Sequence, residues 1–220
     1  VSSSKNLTLA TNLAQAAGEL QLVGSRILDA SDTLRINANR VTSASASLIG
    51  GSDVVVALTT FWTATAGDAV IRSGRDSDIS ANIQTITSGQ VSVVAGRTLF
   101  VATDKAWSSI AAMAINTSST MSGVIRISGV TGVTLVGPWV ASGAINVTSS
   151  DGAVVLHDDI TTSGASSNVY LASKATSGVL NFTGTGNRTV TSAATVTILS
   201  TTVASGGARV IAAAGVTVTG

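Results

Sequence analysis

A short unit recurs along the chain and limits the folds that it can adopt. The unit is a glycine, any residue, an apolar residue, any residue and a second apolar residue. It begins at Gly89, Gly123, Gly143, Gly152 and Gly178, with a related unit at Gly67. Within each unit the apolar residues alternate with a period of two, which predicts a short strand. The interval is 22 residues from Gly67 to Gly89, 20 from Gly123 to Gly143 and 26 from Gly152 to Gly178. Such intervals are typical of one turn of a solenoid.

The composition agrees with a solenoid whose interior is narrow. Alanine, valine, serine, threonine and glycine supply 142 of the 220 residues, whereas aromatic residues make up 3% and proline occurs once. β-Branched residues suit strands, glycine and small polar residues suit tight corners, and proline would remove a ladder hydrogen bond. We therefore predict a single all-β domain over 1–220, a right-handed parallel β-helix (β-solenoid) of about ten turns. A β-sandwich has similarly spaced strands and is the alternative.

Two segments depart from this strand pattern. Residues 1–25 contain a stretch at 11–22 with the character of a short helix, and we predict that they form a capping segment. Residues 103–116 repeat apolar side chains at the i, i+3, i+4 spacing of a helix, and Asp104 is a suitable N-cap residue. This spacing predicts one short helical excursion from a corner of the solenoid.

Five apolar residues are the candidate contact or assembly residues. Trp62, Trp107 and Trp139 either pack at corners or stack on sugars or on a neighbouring subunit, and the sequence leaves both readings open. Val216 and Val218 lie in the last predicted strand. That strand has no charged residue or proline, the residue types that hinder the pairing of an edge strand with a further strand.

Two polar motifs contain residue types that can act in catalysis or in metal binding. His157-Asp158-Asp159 is where the only histidine adjoins carboxylates, but neighbouring strand residues point to opposite faces, so the motif predicts a turn. Asp76-Ser77-Asp78 follows Arg72 and Arg75 and predicts an ion-paired turn, because calcium requires six to eight oxygen ligands. The chain has one glutamate and no cysteine. We predict no catalytic, metal-binding or cofactor-binding residues, and a protein that is not an enzyme.

One stretch resembles a known family. Residues Val133 to Ala172 contain the string INVTSSDGAVVLHDDITTSGASSNVYLAS, which is similar to the repeats of filamentous-haemagglutinin-type and autotransporter-like β-solenoid exoproteins. Those large adhesins of Gram-negative bacteria share the glycine unit, a polar turn and an I-T-T-x-G segment. The resemblance implies a right-handed parallel β-helix, secretion to the bacterial cell surface, and a role in attachment, aggregation or biofilm.

Two functions follow from these observations as expectations. The first is a non-catalytic extracellular structural protein, a subunit or segment of a self-assembling fibre. Residues 106–220 carry 7 of the 23 charges, so this charge-poor half is the expected side for lateral packing. The alternative is a glycan- or surface-binding adhesin module that acts as a monomer. Ice binding is a weaker alternative, since Thr63/Thr65 and Thr85/Thr87 recur at a 22-residue interval.

Partners are limited by charge and by hydropathy pattern. A net charge of +1 provides no basic surface for a nucleic-acid backbone. The longest charge-free stretch, 127–150, is interrupted by glycines and by Pro138, so we predict no membrane-spanning segment. The expected partners are further copies of the chain, and glycans or cell surfaces.

Overall fold

The structure is a computed structural model that describes residues 2–3, 7–10, 19–38, 40–102, 104–121, 123–176, 178–183, 187–200, 202–205 and 208–219. Side chains are described from residue 27 onward, except at 39, 103, 118–122, 177, 184–186, 201, 203–207 and 220. Every regular element within the described residues is a strand.

The strands follow one another through the whole description. They are β1 (Ser2–Ser3), β2 (Leu7–Ala10), β3 (Glu19–Ala30), β4 (Leu34–Ala38), β5 (Arg40–Gly50), β6 (Val54–Ala64), β7 (Ala69–Ser73), β8 (Asp76–Thr85), β9 (Val91–Val101), β10 (Lys105–Ser109), β11 (Ala112–Met121), β12 (Ile125–Gly129), β13 (Gly132–Val136), β14 (Trp139–Ala141), β15 (Ile145–Ser149), β16 (Val154–Leu156), β17 (Ile160–Thr162), β18 (Val169–Ser173), β19 (Val179–Phe182), β20 (Arg188–Ser192), β21 (Thr195–Leu199), β22 (Thr202–Ser205), β23 (Ala208–Ala212) and β24 (Gly215–Thr219).

The strands stack into three parallel columns, which are the faces of a β-solenoid. The first face contains β7, β13, β16, β19 and β22 with parts of longer strands, and the second contains β4, β14, β17, β20 and β23. The third face contains β10, β12, β15, β18, β21 and β24. Each strand pairs in parallel with the strand one turn away, at an offset of 20 residues for Lys105 and Ile125 and of 30 for Ile160 and Val190.

The core is the lumen that the three faces enclose. Inward and outward residues alternate along each strand, as the burial of alternate residues in β15 shows. Inward side chains of successive turns form ladders, because parallel pairing places like positions on top of one another. One ladder of the third face reads Val41, Trp62, Ile83, Trp107, Ile127, Val147, Leu171 and Ile198, and all eight are buried.

A second ladder, at the corner between the third and first faces, consists of small hydroxyl residues. Ser149, Ser173 and Ser200 are buried there. Each donates its hydroxyl to a carbonyl at the same corner one turn earlier, at 3.3 Å to Val130, 2.7 Å to Gly152 and 3.0 Å to Gly178 respectively. The carbonyls of Val130 and Gly178 also accept a backbone N–H from the next turn, so the hydroxyl bonds add to the backbone bonds that join successive turns at this corner.

Glycine occupies corners where consecutive turns touch. Gly89 has φ of +99°, and a Cβ atom there would lie 2.2 Å from the carbonyl carbon and oxygen of Gly67, one turn earlier. Gly143 stands in the same relation to Gly123, whose carbonyl carbon would lie 2.1 Å from a Cβ atom. The glycine of the recurring unit is therefore fixed by backbone contact between turns, two residues before the strand that it introduces.

The predicted parallel β-solenoid is confirmed, and the sandwich alternative is wrong because all strand pairing is parallel. About eight turns are described with their side chains, against ten predicted for the whole chain. Residues 1–26, whose side chains lie outside the description, account for part of the difference. The helical excursion at 103–116 is wrong, since its described residues form β10 and the start of β11. Within the predicted capping segment at 1–25, the described residues belong to β1, β2 and the start of β3, and 11–18 lie outside the described residues.

Candidate functional site

The three tryptophans lie in the lumen. Trp62, Trp107 and Trp139 are 0%, 1% and 1% exposed, so none of them presents a surface to a partner. Of the two readings that the sequence left open, stacking on sugars or on a neighbouring subunit therefore does not fit the three tryptophans. The indole N–H of Trp62 donates to Ser43 Oγ at 3.1 Å, and that of Trp107 donates to the carbonyl of Ala81 at 2.9 Å. The lumen thus provides a hydroxyl acceptor for the Trp62 ring and a carbonyl acceptor for the Trp107 ring.

Val216 and Val218 lie on the last described turn. They are 49% and 58% exposed, although they pair with Val196 and Ile198, whose side chains are buried. The two valines therefore occupy inward positions and continue two ladders of the lumen onto the last described turn. Their role in assembly stays a prediction, to which the structure adds that they are the inward residues of β24.

The histidine–aspartate motif forms a turn. His157 Nδ1 lies 2.8 Å from Thr183 Oγ1, Asp158 accepts a hydrogen bond from the N–H of Gly137 at 3.1 Å, and Asp159 accepts one from the N–H of Thr189 at 2.7 Å. Asp158 also forms an ion pair with Arg188 at 3.6 Å. Each of the three side chains therefore has partners of its own, and none of the three bonds to another. No group of three or more metal-ligating residues occurs among the described residues.

The Asp76 motif belongs to a ladder of ion pairs at the corner between the first and second faces. Arg75 donates to Asp53 through two bonds, Nη2 to Oδ2 at 2.6 Å and Nε to Oδ1 at 3.1 Å. Arg97 binds Asp76 in the same bidentate manner. The Arg75 hydrogen bond lowers the pKa of Asp53, and the Arg97 hydrogen bond lowers the pKa of Asp76. The ion pairs therefore join three successive turns of the solenoid, whereas the sequence predicts a local ion-paired turn: Asp76 pairs with Arg97, and Arg75 pairs with Asp53.

The threonine pairs do not form a continuous row. Thr63 pairs with Gln84, whereas Thr85 points inward and is buried. Thr195 pairs with Gly215. The 22-residue interval therefore differs from the structural offset by one or two residues, and the regular threonine surface of an ice-binding solenoid is not present among these residues.

One outward row of the third face is chemically distinct. Arg126, Asn146, Tyr170 and Thr197 stand on four consecutive turns, in register with one another. They line a groove of about 360 Å³ together with a second outward row, which includes Ala144 and Asn168. Within the second row, Asn168 Oδ1 accepts hydrogen bonds from the backbone N–H of Thr195 at 3.2 Å and from its hydroxyl at 2.7 Å.

Sequence reasoning missed this row, although a signal was present. Arg126 and Asn146 hold the same position, the second variable residue, in the units that begin at Gly123 and Gly143. Aligning the units by their glycines therefore places the two side chains on neighbouring turns. Tyr170 escapes such an alignment, because Ser167 stands where the unit would have its glycine, three residues before Tyr170.

Comparisons with known proteins found no family model, no curated protein and no solved structure that matches the chain. The resemblance to filamentous-haemagglutinin-type and autotransporter-like repeats therefore stays a prediction from the sequence. Within the described part of the chain, there is no helix with the length and apolarity needed to cross a bilayer.

Proposed function

We propose that the chain is a non-catalytic structural protein, a β-solenoid subunit or segment of a self-assembling fibre. The observation that carries this proposal is the last described turn, where two apolar ladders continue to Val216 and Val218 at 49% and 58% exposure and no described residue covers them. A parallel strand and a further layer of apolar side chains would cover this edge, and a second copy of the chain provides both. Buried apolar area and new ladder hydrogen bonds would then favour stacking along the solenoid axis.

Lateral packing has separate support. Phe100, Val140 and Ile211 are exposed and lie in one outward row of the second face. Ile86 and Ile110 are exposed at one corner on neighbouring turns. The half of the chain after Trp107 carries few charges to oppose contact between such surfaces. These features favour the side-by-side association of rods that a fibre needs.

The biological setting of this proposal rests on the sequence. Attachment, aggregation or biofilm formation at the bacterial cell surface follows from the resemblance of residues 133–172 to secreted adhesin repeats, and the absence of cysteine is consistent with export. The glycan-binding alternative has one observation in its favour, the groove beside Arg126. Ice binding lacks such support, because Gln84 interrupts the row that contains Thr63.

A single charge at the open edge tests the proposal. Val218→Lys places an ammonium group at an inward position of the last turn, and Thr217→Lys adds the same charge at an outward position of the same strand. We expect the unmodified chain and Thr217→Lys to form filaments in negative-stain microscopy and to sediment as large species. We expect Val218→Lys to sediment as a monomer with unchanged circular dichroism. A monomeric unmodified chain at high concentration would contradict the proposal.

A further inference from the structure

The outward row of Arg126, Asn146, Tyr170 and Thr197 has unused hydrogen-bonding capacity. Arg126 is exposed and the other three are half-buried. None of the four side chains makes a hydrogen bond or an ion pair with another described residue. By contrast, Asn168 and Thr195 in the adjacent row satisfy each other. Four polar groups of different chemistry are thus held side by side on a rigid surface without internal partners.

The spacing of the row defines the shape of a suitable ligand. Successive turns of a parallel sheet are about 4.8 Å apart, so the row from Arg126 to Thr197 extends over about 14 Å. A sugar ring in an extended, linear polysaccharide has nearly the same length as one such step. A chain of sugars lying along the groove would therefore meet one protein side chain per ring, with the small residue Ala144 in the opposite wall.

The chemistry of the row selects an acidic sugar. A guanidinium group binds carboxylate through two parallel hydrogen bonds, and Arg126 has no acidic partner among the residues whose side chains are described. No aspartate or glutamate occurs within 123–126, 143–146, 167–170 or 195–197, the segments that form the groove. Tyr170 offers a ring face and a hydroxyl, and Asn146 and Thr197 offer donors and acceptors for sugar hydroxyls.

We propose that this groove binds a linear polysaccharide containing uronic acid residues, with one sugar ring per turn and a sugar carboxylate on Arg126. The groove lies on the outward side of the third face, whereas Val216 and Val218 occupy inward positions one turn beyond Thr197. Binding by a single chain is therefore expected whether or not copies of the chain stack, so this proposal and the fibre proposal succeed or fail separately.

Titration with two oligosaccharides of equal length and linkage tests the proposal. The probe is a β-1,4-linked oligomannuronate, and the control is the β-1,4-linked oligomannoside, which differs by having a hydroxymethyl group in place of each carboxylate. Calorimetry on the Val218→Lys chain removes any contribution from stacking. We expect the mannuronate to bind and the neutral oligomer to bind at least about tenfold more weakly, the ratio that the loss of one charge-assisted hydrogen bond produces.

Substitutions at Arg126 and Tyr170 test whether the oligosaccharide binds in the groove. Arg126→Gln should weaken oligomannuronate binding by about tenfold or more. Arg72→Gln removes an exposed arginine from the first face and should leave binding unchanged. Tyr170→Ala should also weaken binding, with Tyr170→Phe retaining part of it through the ring. Equal binding of the acidic and neutral oligomers, equal effects of the two arginine variants, or no binding of the mannuronate would each overturn the proposal.

Discussion

At the scale of single residues, the three buried indole rings differ in the hydrogen bonds that their nitrogen atoms make. Trp62 and Trp107 donate hydrogen bonds to Ser43 and Ala81. The buried Nε1 atom of Trp139 has no partner among the described residues. A buried donor without an acceptor loses its bonds to water without compensation, at a cost of about 1–3 kcal/mol. Trp139 therefore contributes its apolar surface to stability but lacks the polar contribution that Trp107 makes.

Replacing these rings by phenylalanine separates the two contributions. Trp107→Phe and Trp139→Phe remove the same atoms and leave cavities of similar size, but only Trp107→Phe breaks a hydrogen bond. We expect Trp107→Phe to lower the free energy of unfolding more than Trp139→Phe does, by about 1–3 kcal/mol. Urea unfolding followed by circular dichroism measures both values. A larger loss in Trp139→Phe would show that its Nε1 atom has a partner in solution.

At the scale of strands and corners, ion pairs link neighbouring turns where the first face bends into the second. Asp53 and Asp76 have lowered pKa values because Arg75 and Arg97, respectively, donate to them. A carboxylate whose pKa is lower in the folded state stabilises the fold above its unfolded pKa and loses that contribution as the pH falls through its folded pKa. The arginine side chains are exposed, with 56% and 64% accessible, so solvent limits the size of the effect.

Acid titration tests this link between turns. We expect the melting temperature to fall as the pH is lowered below 3.8, the ordinary value for aspartate, as both carboxylates become protonated. The double variant Arg75→Gln and Arg97→Gln should show a smaller fall over the same range. The control is Arg72→Gln, since that exposed arginine is outside both pairs, and it should retain the full pH dependence. An identical pH profile in all three chains would contradict the assignment.

At the same scale, the glycine units predicted strands correctly, whereas the apolar spacing of the alanine-rich segment at 103–116 wrongly predicted a helix. Residues 103–116 carry apolar residues at a helical spacing, yet Trp107 and Ser109 point inward from one strand and Met113 and Ile115 from the next. The inward positions keep one alternation across the corner at 110–111, but Ile110 is exposed there and Ala106 and Ala114 lie outside the lumen, so these apolar residues complete a helical spacing. Parallel pairing of Lys105–Ser109 with the neighbouring turn decides the outcome, and that information is not local to the segment.

The candidate site could be predicted only in part, for a related reason. Alternation shows that Arg126 and Asn146 share a side of their strands, but not whether that side is inward or outward, nor which residues lie beside them. Tyr170 joins their row because the turn before it lengthens the offset from Asn146 to 24 residues. For the tryptophans the sequence left packing and surface contact both open, and their burial is fixed by the register of the whole column.

At the scale of the whole molecule, each turn of the solenoid contacts mainly its two neighbours, so stability spreads along the axis turn by turn. A turn in the middle, such as the one containing Ile145–Ser149, has a paired strand on both sides. The turn containing Ala208–Ala212 and Gly215–Thr219 pairs on one side only among the described residues. Its amides are therefore expected to exchange with solvent first, and to report directly on whether another strand covers them.

Hydrogen exchange distinguishes stacking along the axis from side-by-side packing. If copies stack end to end, assembly places a new strand beside residues 208–219 and slows amide exchange there, while exchange at 145–149 stays unchanged because those amides are already paired. The Val218→Lys chain, measured at the same concentration, provides the unassembled reference. Lateral packing alone joins outward side chains and forms no new ladder, so it would leave exchange at 208–219 fast in assembled material. That result would exclude end-to-end stacking even if filaments were present.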